Sequence, residues 1–115
     1  MTFPTNRHRK EKISSLLEHL AAEFILREAD TTSLITVTGS RLSDSQQHID
    51  ILVTVLPEEK EEVVKGFLAR HKAGFAEYIN EHAKIGRMPK FDFKIDKGEK
   101  NRRTVEEIIG GVEGN

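Results

Sequence analysis

A two-layer α+β fold, with helices packed on one face of a three-stranded mixed sheet, is what three features of the sequence predict. Two stretches carry apolar residues at helical spacing, three carry them in alternation, and their order along the chain is α-β-β-α-kink-α-β. A helix with one apolar stripe and a strand with one strongly apolar face bury both by stacking in layers. At 115 residues the chain fits one domain.

Residues 1–6, with Pro4 and Asn6, read as a flexible lead. From about Arg7 to Glu28, Ile13, Leu16, Leu17, Leu20 and Phe24 recur at i, i+3, i+4, i+7 and i+11, one stripe of a helix. Asp30 to Ser33 break that pattern. Leu34 to Arg41 reads as a strand with Ile35 and Val37 on one face and Thr36 and Thr38 on the other. A polar loop, Ser43 to Gln47, leads to the clearest strand, His48 to Leu56. Its Ile49, Ile51, Val53 and Val55 face one way, and Asp50, Leu52, Thr54 and Leu56 the other. Pro57 suits the first turn of a helix, and Glu58, Glu59, Glu61 and Glu62 complement its positive N-terminus. Val64, Phe67, Leu68, His71, Phe75, Tyr78, Ile79 and His82 keep a helical period, with a kink expected at Ala73-Gly74. Gly86 and Pro89 mark the helix end. Lys90 to Asp96 is a third strand, with Phe91, Phe93 and Ile95 facing the core. The domain is therefore expected over 7–96, followed by a polar tail over 97–115 that is a candidate for disorder.

Composition removes several function classes. There is no cysteine, which excludes disulfides, thiolate zinc sites and a cysteine nucleophile. The basic N-terminus lacks the apolar core of a signal peptide, and the longest apolar-rich run, Ile49 to Leu56, is far short of the roughly 20 residues that span a bilayer. A cytoplasmic protein without membrane contact is expected. Net charge is only −1, but the charges are segregated. Arg7, Arg9, Lys10 and Lys12 open the chain, and Lys84 to Arg103 is strongly basic, while acids gather at Glu58–Glu62 and Glu106–Glu113. Local clustering, not the sum, steers phosphates.

The segment RHKAGFAEYINEHAKIGRMPKFDFKID, Arg70 to Asp96, resembles the helix-kink-helix and final strand of the ribosome-binding factor A family. Lys72-Ala73-Gly74-Phe75 stands at the family's small-x-Gly kink, and Arg87, Pro89, Phe93 and Asp96 match its basic residue, proline, strand aromatic and closing aspartate. The opening RHRKEKISSLLEHLAAEF resembles the family's Arg-led first helix. Asp30-Thr31-Thr32 replaces the family's Asp-Pro-Arg, and Lys72 replaces its preferred alanine. The resemblance implies a type II KH-like fold. It also implies a non-enzymatic monomer that binds the 30S ribosomal subunit and its 16S rRNA during late maturation and rRNA processing, most needed in the cold.

The residues themselves suggest where RNA would be held. Gly74 lets the backbone turn and frees N–H groups at a helix start, a favourable place for phosphate, and Arg70 and Lys72 flank it. The chain has no GxxG at this corner; Gly111-Val112-Glu113-Gly114 lies in the acidic tail and is a decoy. The candidate RNA-binding set is Arg7, Arg9, Lys10, Arg70, Lys72, Gly74, Lys84, Arg87, Lys90, Arg102 and Arg103. With Phe91 and Phe93 turned inward, recognition by RNA shape and backbone is expected rather than base stacking. The histidines lack the spacing of a metal site, with His71 and His82 expected as packing or helix-end residues. Asp92 and Asp96 are expected to be solvated on the outer strand face. No nucleophile elbow or P-loop is present, so no catalytic residue, cofactor or small-molecule substrate is expected. The alternative is a protein-interaction module, which the acidic run Glu58–Glu62 permits.

Overall fold

The first helix, α1 (Asn6–Glu28), carries a stripe that meets the sheet, with Leu17 and Ala21 fully buried and Ile13, Leu20, Phe24 and Ile25 nearly so. The structure, a computed structural model, describes residues 6–98 apart from Thr31 and residues 85–87, with side chains from Lys10 onward. Strands β1 (Leu34–Leu42) and β2 (His48–Leu56) pair antiparallel. A 3-10 turn at Glu58–Lys60 leads into α2 (Glu61–Arg70) and α3 (Lys72–His82), and β3 (Lys90–Ile95) returns parallel to β2. The sheet order is β1-β2-β3, so β2 is central and β3 lies at an edge. This is the expected type II KH-like arrangement, with the helices on one face of a mixed sheet.

The core follows from strand alternation. Ile49, Ile51, Val53 and Val55 are at most 1% exposed. In-register parallel pairing sets Phe91 beside Ile49, Phe93 beside Ile51 and Ile95 beside Val53 on that same face. Around Phe75 the rings of Phe24, Phe91 and Phe93 lie 5.2, 5.0 and 5.5 Å away, centroid to centroid. A second cluster at the other end joins Ile25, Val53, Val55, Val64 and Leu68.

Apart from one-residue shifts at the start of α1 and the end of β3, three boundaries differ from the sequence reading. The strand β1 continues through Leu42, and a bulge between Val37 and Gly39 shifts its phase, so that Ser40 rather than Gly39 pairs with core-facing Ile51. The corner between α2 and α3 falls at His71 (φ −96°, ψ 8°), not at Ala73-Gly74. There the His71 ring lies 4.3 Å from the Phe67 ring and its Nδ1 lies 2.9 Å from the Phe67 carbonyl oxygen, which closes the end of α2. Helix α3 ends at His82, before Gly86, because Ala83 turns to an extended conformation (φ −147°, ψ 147°) and packs against the core. His82 places its Nδ1 2.9 Å from the Tyr78 carbonyl and stacks on the Tyr78 ring, so both histidines are helix-end residues as expected.

Gly74 lies in the first turn of α3 with a negative φ, and an added methyl would meet only the Phe24 ring, at an ordinary 3.6 Å. Gly74→Ala is therefore expected to raise stability by roughly 0.5–1 kcal/mol through reduced backbone entropy. A urea-unfolding midpoint that falls would show that the Phe24 ring has no room for the methyl.

Candidate nucleic-acid interface

Among the described residues the outer edge of β3 has no neighbouring strand, and α2 and α3 stand over it. The result is a groove running the length of the strand. At the end where β3 begins, Ala69, Arg70, Lys72, Ala73, Ala76, Met88, Pro89, Lys90 and Phe91 enclose about 600 Å³. Ala69 and Lys72 are shared with the next section, about 200 Å³, where Lys65, Leu68, Asp92, Phe93, Lys94 and Ile95 also contribute. Beyond it the groove passes Lys97. Its floor is apolar along the first two sections, and its charged lining comprises Arg41, Lys65, Arg70, Lys72, Lys90, Lys94 and Lys97 with the acids Asp50 and Asp92.

The corner supplies a second element. No side chain caps the start of α3, and its first turn holds no acid. The positive end of this helix thus opens beside Arg70 and Lys72, a setting that favours an anion.

The structure brings together Arg70, Lys72 and Lys90 of the sequence-predicted set, whereas Gly74 lies within α3 on the side that faces Phe24 and does not line the groove. Lys10 is turned elsewhere, with Nζ 3.1 Å from Asp44 Oδ1 on the β1–β2 loop. Lys84 is exposed beyond α3 and does not line the groove. The side chains of Arg7 and Arg9, and residues Arg87, Arg102 and Arg103, lie outside the described residues, as do the Gly111–Gly114 decoy and most of the tail. Lys65, Lys94 and Lys97 line the groove but were not singled out by sequence. Lys90 and Lys94 share a strand face, a signal that alternation could have used.

Asp92 and Asp96 are not simply solvated. Lys72 Nζ donates to Asp92 Oδ1 at 2.7 Å, and Thr38 Oγ1 donates to Asp96 Oδ2 at 2.5 Å. The Lys72 hydrogen bond holds the Asp92 carboxyl below its ordinary range, against the opposing effect of burial. A carboxyl depressed in the folded state stabilises the fold above its unfolded pKa of about 3.9 and loses that contribution as pH falls through the lower folded value. Asp92→Asn is expected to remove this increment, flattening the acid limb of a stability-versus-pH curve. An unchanged limb would mean that Lys72 and Asp92 do not interact in solution.

Beside this pair, parallel registration sets Asp92 next to Asp50, and His48 shares their face. His48 Nε2 lies 2.8 Å from Asp50 Oδ1 and 3.6 Å from Asp92 Oδ2. Sequence reading missed this cluster because it sought ligand spacings within one element, whereas Asp92 arrives from another strand.

Comparison with known proteins bears on the whole chain. No described helix is long and apolar enough to cross a membrane. A chain from Prochlorococcus marinus (strain NATL1A), ribosome-binding factor A, is 28% identical over 114 residues, covering 94% of this chain and 92% of that one. The crystal structure of ribosome-binding factor A from Thermus thermophilus superposes with a TM-score of 0.65 at 24% identity, over 75% of this chain and 94% of that one. A Thermus thermophilus ribosome-binding factor A homology model, fitted into a cryo-EM map of a 30S complex of that protein, gives 0.62 at 22% identity, over 73% and 91%. The family model for ribosome-binding factor A matches residues 9–109, and the chain belongs to that family.

Proposed function

We propose that this chain is a non-catalytic assembly factor of the small ribosomal subunit, acting in the cytoplasm as a monomer. It binds the 30S particle through 16S rRNA during late maturation and rRNA processing, with its greatest effect in the cold. The observation that carries this reading is the β3-edge groove, where Lys65, Arg70, Lys72, Lys90, Lys94 and Lys97 outnumber the two acids of its lining, Asp50 and Asp92. Such a rim neutralises phosphates and releases counterions even on a chain of net charge −1. The family and the 30S complex of the Thermus thermophilus relative support it. An apolar floor only a few side chains wide suits a backbone held by shape more than a stacked row of bases.

Co-sedimentation with 30S subunits, 50S subunits and free tRNA at low and high salt tests this reading. Selective pelleting with 30S that is lost at high salt is the expected result. Equal pelleting with all three, or none with 30S, overturns it.

A second reading, a module that binds a protein, is favoured by the region where β2 passes into α2. Leu34 and Leu56 pair there across the strands at 61% and 43% exposure, and Val63 is 64% exposed beside the run Glu58–Glu62. Binding to a protein partner that is insensitive to salt, without binding to rRNA, is the outcome it requires.

A further inference from the structure

We propose that His48, Asp50 and Asp92 form a binding site for a borderline divalent metal ion such as Zn²⁺. The site lies on the sheet face away from the helices. Its origin is registration: β2 and β3 run parallel with Asp50 directly beside Asp92, and His48 two residues earlier shares their side of the sheet. Two carboxylates at directly neighbouring positions repel each other, so a positive charge between them is favoured.

The geometry suits one ion. One ligand atom from each residue lies within 4.8 Å of the other two. The separations are 2.8 Å from His48 Nε2 to Asp50 Oδ1 and 3.6 Å to Asp92 Oδ2. Ligands at about 2.0–2.2 Å from a shared Zn²⁺ sit roughly 3–3.5 Å apart, so only small side-chain adjustments are needed. All three side chains are half-buried, at 43%, 28% and 40% exposure, which leaves water access to complete the coordination.

The surrounding charges select the class of ion. Lys72 Nζ holds Asp92 Oδ1 at 2.7 Å, leaving Oδ2 towards His48, and Arg41 pairs across from Asp50. Lys90 pairs across from His48. These cations weaken the attraction for Mg²⁺ or Ca²⁺, which rely on many oxygen ligands, and leave the imidazole nitrogen as the deciding donor. The site is independent of the RNA-binding reading, since it needs no nucleic acid.

Titration calorimetry of the full chain, without a histidine tag, against Zn²⁺ tests it. One ion per chain is expected, with binding weakened about tenfold or more by His48→Ala or Asp92→Asn. Lys72→Met, which removes the competing ammonium, is expected to tighten binding by about three- to tenfold. His19→Ala, which removes the separate His19–Glu23 pair (2.7 Å), is expected to leave it unchanged. Paramagnetic broadening by Cu²⁺, an ion that also prefers imidazole, should centre in the unaltered protein on the amides of residues 48–50 and 90–92, a readout that no folding defect affects. No heat up to about 100 µM ion, retention of binding in a folded His48→Ala variant, or broadening centred on His19 overturns the proposal.

Discussion

Reversing two charges of the groove, Arg70→Glu with Lys90→Glu, is expected to lower affinity for 30S subunits by about 100-fold at moderate salt and to flatten the log–log salt dependence by about two. Both residues line the section of groove where β3 begins, one from the end of α2 and one from the first position of the strand. Each reversal removes a phosphate partner and adds a repelling charge to the same anion path. Neither side chain is buried, so the fold should survive, and a circular dichroism melt close to that of the parent checks this. Lys12→Glu with Lys84→Glu is the matched control, because both residues are exposed and neither lines the groove. Its effect should be several-fold smaller. Equal losses from the control and the groove variant would mean that only overall charge matters, and an unaffected groove variant would remove the groove from the RNA contact.

Phe75→Ala is expected to destabilise the protein by about 3–5 kcal/mol, much of the roughly 5–15 kcal/mol that a domain of this size possesses. Phe75 is fully buried on α3 and meets Phe24 from α1 and Phe91 and Phe93 from β3. Its loss leaves a cavity where three elements converge, and rings anchored on separate elements cannot easily close it. Urea unfolding reads the result as a lower midpoint at similar slope. A loss under about 1.5 kcal/mol would mean that the helix layer moves inward to fill the space.

Most of the architecture was legible because periodicity reports burial. The alternation of Ile49, Ile51, Val53 and Val55 and the stripe from Ile13 to Phe24 name the faces that the structure buries. Helix ends were less legible. Gly86 is the better local stop signal, yet the chain leaves α3 at Ala83, where core packing outweighs propensity. The site was legible in part. Arg70, Lys72 and Lys90 stood out by composition, but Lys65 and Lys94 become groove residues only once α2 lies over the β3 edge. The pairing of Lys72 with Asp92 depends on how α3 docks beside β3, and that of Asp92 with His48 on strand registration, neither of which a local pattern encodes.

The two strand pairings of the sheet differ sharply in how far apart their partners lie along the chain. Only residues 43–47 separate β1 from β2, whereas the whole of 57–89 intervenes before β3. The hairpin can close early at small entropic cost, while β3 must wait for the helical crossover to dock. Among the described residues its outer edge also lacks the cross-strand hydrogen bonds that hold β2 on both sides. β3 is thus the last strand to be secured and the first placed to open below the global unfolding energy. Because β3 forms one wall of the groove, its opening would change the width of the groove while the β1–β2 hydrogen bonds stay in place.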